Sequence, residues 1–396
     1  MSGVWYVNAA IYGEEETLAQ GSIYVRDGII RHVANGSPEG VGPGERIVDL
    51  QGNLLLPGFV DIHIHGGGGA DVMAGSAEQL ARLSRFAAGH GTTSLLPTTY
   101  TASPAVTRSA VKAISEAMDA SPDGADLIGI HMEGPYLNPV RGGAQHPAYM
   151  RPGTVKELQE WIDASRGRIR LVTLAPELPN AMELISFCRR QGIHVSLGHS
   201  NADFPTIVRA VEAGATQITH VFNGMSPLHH RRVGMAGAGL SLDALSVEVI
   251  CDGIHIAPTL LPVIARAKPA DKLILITDAI PAAGLPDGEY RVGSYPVVLR
   301  NGECRLKHNG ELSGSCLTML QAVKHALTFT GMSLRQLLPA FTLNPARQAG
   351  AAERKGSIRI GKDADFVVLT PELELLATFV RGLRVWGKGG TPFYKS

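Results

Sequence analysis

The chain has little of what would tie it to an oxidising compartment, a polyanion or a membrane. Its four cysteines, Cys188, Cys251, Cys304 and Cys316, are scattered through 396 residues with no CxxC spacing. They call for no disulfide framework and fit a reducing cytoplasm. Charge of one sign is not in excess: Lys+Arg and Asp+Glu both number 36, so there is no basic field for nucleic acid and charge recognition must be local. The expected partner is a small molecule. No apolar run reaches the about 18 residues of a membrane span, and Met1-Ser2-Gly3-Val4-Trp5 lacks the basic region and apolar core of a secretory leader. A soluble, unprocessed protein is expected. What the chain does have is 44% apolar content, enough for one large core and a smaller satellite.

Both ends alternate short β-rich runs with turns. Val4–Asn8, Ser22–Arg26, Ile29–Ala34 and Ile47–Asp49 are broken by Asp27-Gly28 and a Gly/Pro-rich stretch, and Gly356–Ile360, Asp365–Leu369, Ala377–Val380 and Leu383–Trp386 repeat the pattern. The two ends, 1–56 and 353–396, are therefore expected to share a small β-sandwich. The interior, 57–352, alternates apolar runs with helical patterns at Ala77–His90, Pro104–Ala120, Ala181–Gln191, Phe204–Ala213, Pro258–Ala267 and Cys316–Thr330, the mark of a parallel sheet covered by helices. Eight runs rich in Val, Ile or Leu read as strands buried on both faces. They are Val60–His65, Ser94–Thr99, Leu127–Glu133, Ile169–Leu174, His194–His199, Gln217–Phe222, Val247–Cys251 and Leu273–Asp278. The fold class that follows is α/β: a (β/α)8 TIM-like barrel with a β-sandwich built from both chain ends.

Barrel enzymes carry their chemistry at the carboxyl ends of the strands, so an ionisable residue closing a strand is informative. Strand one closes on His63 and His65, strand three on Glu133, strand five on His199, strand six on His220 and strand eight on Asp278, while strand seven leads to Asp252 and His255. His63 and His65, two apart on a strand, face the same way and could grip one ion; alone, an HxH is better explained by polar residues in a turn before Gly66-Gly67-Gly68-Gly69. Glu133 follows an apolar strand, where a carboxylate is costly unless paired or bound to a cation. One such histidine is usually a satisfied core residue, but His199 and His220 on adjacent strands beside Glu133 make a three-ligand site with an open position for water. Asp278 suits a general acid/base beside that water, or a helix N-cap, although Ile280-Pro281-Ala282-Ala283-Gly284 is a poor helix start. His255 reads equally as an oxyanion donor or a solvated loop histidine. The stretch Asn223-Gly224-Met225-Ser226-Pro227-Leu228-His229-His230-Arg231-Arg232 is either a phosphate cradle or a basic surface loop. Gly314 and Ser315 would line the pocket floor or begin a helix.

In order along nearly the whole chain, Pro57-Gly58-Phe59-Val60-Asp61-Ile62-His63-Ile64-His65-Gly66, His131-Met132-Glu133-Gly134-Pro135, Gly198-His199-Ser200, Thr219-His220-Val221-Phe222-Asn223-Gly224-Met225, Asp252-Gly253-Ile254-His255, Thr277-Asp278-Ala279 and Leu312-Ser313-Gly314-Ser315 resemble the N-acetylglucosamine-6-phosphate deacetylases of the amidohydrolase superfamily. The resemblance implies a barrel hydrolase that removes the acetyl group of a phosphorylated amino sugar in amino-sugar catabolism and cell-wall recycling. It also implies one or two divalent ions per subunit, with zinc first and iron, manganese or cobalt as alternatives. Glu133, His199 and His220 would hold the principal metal, with His63 and His65 as a second grip. Asp278 would be the acid/base, and His255 would polarise the acetamide carbonyl. Asn223, Gly224 and Arg231 would meet the phosphate, with Arg231 and His255 coming from the same chain or across a homodimer interface. His146, with Ala144, Leu312 and Gly314, would complete the substrate site. The fourth strand region, Leu171–Glu177, has no lysine, which speaks against dihydroorotase-like and hydantoinase-like relatives. The competing readings are a deacetylase of another N-acyl amino sugar or amino acid, and a silent barrel kept for binding.

Overall fold

The computed structural model describes residues 3–38, 40–120 and 123–389. Eight parallel strands form the barrel: Phe59–Ile64, Thr92–Thr99, Ile130–Glu133 (with Asp126–Leu127 leading in), Ile169–Leu174, His194–Leu197, Gln217–Ile218, Ser246–Ile250 and Leu273–Ile276. Consecutive strands pair through to the eighth. Strands eight and one join at the mouth, through an Ile64–Ala279 bridge, the Asp278 N–H donating to the His63 carbonyl at 2.8 Å and the His65 N–H donating to the Ala279 carbonyl at 2.8 Å. The barrel strands are buried almost without a break, as a sheet covered by helices requires. Helices show the complementary pattern: in Ala77–Ala88, Leu80, Leu83 and Ala87 recur at helical spacing and are all buried, and each such leucine contributes about 1.5–3 kcal/mol through apolar area removed from water.

Three strands are shorter than their apolar runs suggest. Strands five, six and eight stop at Leu197, Ile218 and Ile276, and the residues expected to close them fall just beyond, with left-handed backbones at His199 (φ 46°), His220 (φ 28°) and Asp278 (φ 51°). Strand three is interrupted at Ile128-Gly129.

The two chain ends pair into one eight-stranded sheet. Its path runs Leu383–Gly387, Leu375–Val380, Phe366–Leu369, Leu54–Pro57, Val4–Tyr12, Thr17–Arg26 and Ile29–Asn35, with Arg46–Asp49 alongside Val4–Tyr12. The ends join where Phe366 pairs with Pro57 and Leu369 with Leu54, antiparallel. A core of its own fills this sheet, with Tyr6 set edge-on to Phe366 and Phe379. The run Gly356–Ile360 is not a strand; its only strand-like contact is a Gly13–Ile358 bridge. Helix Met319–Thr330 starts later than Cys316, on a reciprocal cap between Thr318 and Gln321. A three-stranded antiparallel sheet over Gly288–Val292, Tyr295–Arg300 and Glu303–Leu306 and the helix Val155–Ala164 are additional elements. Among the described residues no helix is long and apolar enough to cross a membrane.

Candidate active site

The carboxyl ends of the strands surround a cavity of about 560 Å³. Glu133 stands at its base, buried, with Oε1 facing His199, His220 and, at 3.5 Å, His63, and Oε2 facing His65. Oε1 lies 3.1 Å from Nε2 of both His199 and His220, and those two nitrogens are 3.1 Å from each other. Oε2 lies 3.4 Å from His65 Nε2. His63 and His65 bring their Nε2 atoms to 3.3 Å, and Asp278 Oδ1 is 3.2 Å from His65 Nε2 and 3.6 Å from His63 Nε2. Two triads result, Glu133–His199–His220 and His63–His65–Asp278.

The other ring nitrogens fix the tautomers. Nδ1 donates to the Arg141 carbonyl from His199 (2.9 Å), to the Asn223 carbonyl from His220 (3.1 Å) and to the Thr98 carbonyl from His65 (3.1 Å). A carbonyl only accepts, so each Nδ1 carries a proton and, when the ring is neutral, each Nε2 presents a lone pair. Lone pairs at 3.1 and 3.3 Å repel unless a cation lies between them. This donor set, imidazole and carboxylate with outer hydrogen bonds already made, fits a divalent metal in both triads. The charge balance agrees. Burial opposes ionisation of Asp278, yet the imidazoles of His63, His65 and His220 hold it at about 2, and Glu133 lies well below the usual carboxylate range for the same reason. Burial would lower His65, but Asp278 and Glu133 push it up to about 9. The cluster needs positive charge, from protons or from a metal.

The left-handed turns at His199, His220 and Asp278 swing these side chains off the strand direction into the mouth, at a local cost of about 1–3 kcal/mol each. Gly224 makes room: at φ 57°, a Cβ there would sit 2.9 Å from His199 Nδ1 and 3.2 Å from the Arg141 carbonyl.

The cavity wall brings together His65, Glu133, Ala144, His146, His199, His220, Asn223, Gly224, His255, Asp278, Leu312 and Gly314. His255 enters from its own chain. Its Nδ1 is 2.6 Å from Asp252 Oδ2; burial would lower its pKa, and the Asp252 carboxylate reverses that and raises it. His63 is fully buried behind the wall. Arg231 is not brought in: it is exposed, in the His229–Arg232 turn outside the cavity.

Over residues 54–385 the chain matches the amidohydrolase family. It is 40% identical over 377 residues to the N-acetylglucosamine-6-phosphate deacetylase of Bacillus subtilis (strain 168), covering 94% of each chain. The chain belongs to this deacetylase group of the amidohydrolases. It is also 35% identical, over 93% of its length and 96% of the relative's, to an N-acetylgalactosamine-6-phosphate deacetylase of Escherichia coli O157:H7. A Mycobacterium smegmatis N-acetyl-D-glucosamine-6-phosphate deacetylase, solved as a mutant in complex with N-acetyl-D-glucosamine-6-phosphate, superposes with a TM-score of 0.91 at 31% identity, covering 97% of this chain and 100% of that one.

Several residues of the deacetylase cavity escape sequence reasoning. Gln145 bridges Glu133 Oε2 and the Thr101 N–H. Tyr100 lines the wall and donates to Asp71 at 3.0 Å. Val292, Gly293, Ser294 and Tyr295, from the three-stranded sheet, form one side, with Tyr295 5.4 Å from the His146 ring. A signal existed for that sheet: Gly293-Ser294 and Asn301-Gly302 are two-residue hairpin turns between alternating runs.

Proposed function

We propose that this chain hydrolyses N-acetylglucosamine 6-phosphate to glucosamine 6-phosphate and acetate. The observation that carries the reading is Glu133, a member of one ligand triad that also lies 3.5 Å from His63 and 3.4 Å from His65 of the other, with Asp278 on the same cavity that holds His255, Asn223 and Gly224. A divalent ion held by Glu133, His199 and His220 would lower the pKa of a water and draw electron density from the acetamide carbonyl. Asp278, ionised down to about 2, accepts the proton of the attacking water and returns it to the amine nitrogen. The C–O bond forms first, placing negative charge on the former carbonyl oxygen, and the C–N bond breaks as that charge returns to the carbonyl and the nitrogen takes up the proton. His255, fixed at Nδ1 by Asp252, offers its Nε2–H to the carbonyl oxygen as negative charge develops there. Asn223 and Gly224 receive the 6-phosphate, joined by Arg231 from a second subunit; its exposed position on the hairpin supports that arrangement. The working enzyme is then a cytoplasmic homodimer, with zinc the first expectation and iron, manganese or cobalt the alternatives.

Acetate release from N-acetylglucosamine with and without the 6-phosphate, on protein whose metals have been counted, tests the reading. N-acetylgalactosamine 6-phosphate belongs in the same series, given the Escherichia coli relative. Preference for an unphosphorylated substrate would replace this reading with that of another N-acyl deacetylase. Metal-loaded protein inert on every acylated sugar would replace it with a silent barrel.

A further inference from the structure

One fully buried carboxylate at the barrel mouth belongs to neither triad. Glu248, in strand seven (Ser246–Ile250), is 0% exposed. Three groups donate to it. His63 Nδ1 is 2.9 Å from Oε2, the His220 backbone N–H reaches the same oxygen at 3.1 Å, and Gln217 Nε2 is 2.6 Å from Oε1. One side chain thus holds a residue from each triad: the ring of His63 from the second and the peptide of His220 from the first.

Each contact has a consequence. His63 Nε2 faces His65 Nε2 at 3.3 Å, so it can act as a ligand only if the ring proton sits on Nδ1. The Glu248 carboxylate accepts that proton, where the three other imidazoles use backbone carbonyls. The His220 N–H belongs to a peptide whose residue has φ 28°, a backbone an L-residue holds only under constraint. Its bond to Glu248 helps fix the turn that aims the imidazole. Glu248 also lies near His63 and His131 in a ligand-like group. His131, however, already uses both nitrogens, with Nδ1 donating to the Ile62 carbonyl (2.9 Å) and Nε2 2.8 Å from Thr173 Oγ1, so Glu248 orients rather than ligates.

We infer that Glu248 is a positioning residue that couples the two triads, setting the His63 tautomer and the His220 turn together. This rests on reading the triads as metal sites. A carboxylate suits the position because it receives all three donors at once, whereas an amide has one acceptor oxygen and turns an NH2 towards one of them.

The test is metal binding by Glu248→Gln, Glu248→Asp and the unaltered enzyme. Each is freed of metal, reloaded with cobalt, followed by visible absorption and chelator competition, and counted by elemental analysis. Glu248→Gln is expected to bind cobalt about 10–100-fold more weakly, with an altered spectrum and unchanged far-ultraviolet circular dichroism. Glu248→Asp, which keeps an acceptor-only group, should recover part of the loss. If Glu248→Gln does not fold, Gln217→Ala, which removes one anchor of the carboxylate, should still weaken cobalt binding measurably. A folded Glu248→Gln with the spectrum and affinity of the unaltered enzyme overturns the role of Glu248, as would unchanged affinity in Gln217→Ala. Unaltered enzyme that takes up no cobalt overturns the metal-site reading itself, and this inference with it.

Discussion

Asp278 meets imidazole from His63 and His65 at 3.6 and 3.2 Å while keeping an edge on the cavity, and this position gives its substitution a distinct expected signature. Asp278→Asn keeps size and shape but accepts no proton, so kcat and kcat/KM should fall together by about 10²–10⁴-fold. The ion held by Glu133, His199 and His220 should remain when metals are counted; near-normal turnover would remove Asp278 as the base. His255 offers a pH-dependent companion. Its folded pKa is raised against Asp252, so the stabilisation from this pair is fully present below about pH 6.5, the unperturbed histidine value, and is lost as pH rises through the folded value. In Asp252→Asn, the His255 pKa measured by NMR should drop, and the alkaline limb of kcat/KM should move down with it. At this scale the sequence was most legible where an ionisable residue ends an apolar run: Glu133, His199, His220 and Asp278. Glu248 lay inside such a run, where the side chains of its partners cannot be read, although a lone carboxylate in Ser246-Val247-Glu248-Val249-Ile250 was the available sign. Gln145 and Tyr100 came from loops whose paths only the fold determines.

Strand order and the helical layer followed from period and apolar runs, because a parallel sheet covered on both faces demands them. The strand ends did not follow. An apolar run continues into the residues that leave the ladder, and sequence period does not register the left-handed turns at His199, His220 and Asp278. The loops after the strands are therefore built as tightly as the strands themselves. Gly224→Ala should show it: the added Cβ meets His199 Nδ1 and the Arg141 carbonyl, displacing the hydrogen bond that fixes the His199 tautomer. The expected result is a destabilisation of about 1–3 kcal/mol from the positive φ and the crowding, with weakened metal retention on dialysis against chelator. Urea unfolding together with metal counting would check it, and unchanged metal retention would mean the loop yields more easily than its contacts suggest. The sheet over Gly288–Leu306 escaped notice because its strands are short and half exposed, although its turns carry a hairpin signature.

At the scale of the molecule, barrel and end sheet are joined by a buried lysine. Lys355 Nζ lies 2.7 Å from Asp126, 3.0 Å from Asp363 and 2.6 Å from Asp365, with its side chain 3% exposed. Asp126 pairs beside Ser94, near the start of strand two, and Asp365 precedes the strand Phe366–Leu369 that meets Leu54–Pro57. The cluster sits at the end of strand two away from Thr98, whose carbonyl holds His65, so it reads as a stability device rather than as chemistry. Burial raises Asp365 despite Lys355, and burial would lower Lys355 had the carboxylates not reversed it. Lys355→Met would leave the buried Asp365 without a cation, while Asp363 keeps Arg354 and Asp126 keeps Arg381, at a cost of about 3–5 kcal/mol at pH 7. The sign with pH follows. Without the lysine the folded-state pKa of Asp365, already raised by burial, rises further, so proton uptake favours the folded variant and the deficit should shrink as pH falls from 7 towards 5.5. Urea unfolding at both values measures this, and kcat of the folded fraction should be unchanged because no ligand of either triad touches the cluster. A deficit that stays constant between the two pH values would show that the loss comes from packing of the lysine stem rather than from its charge.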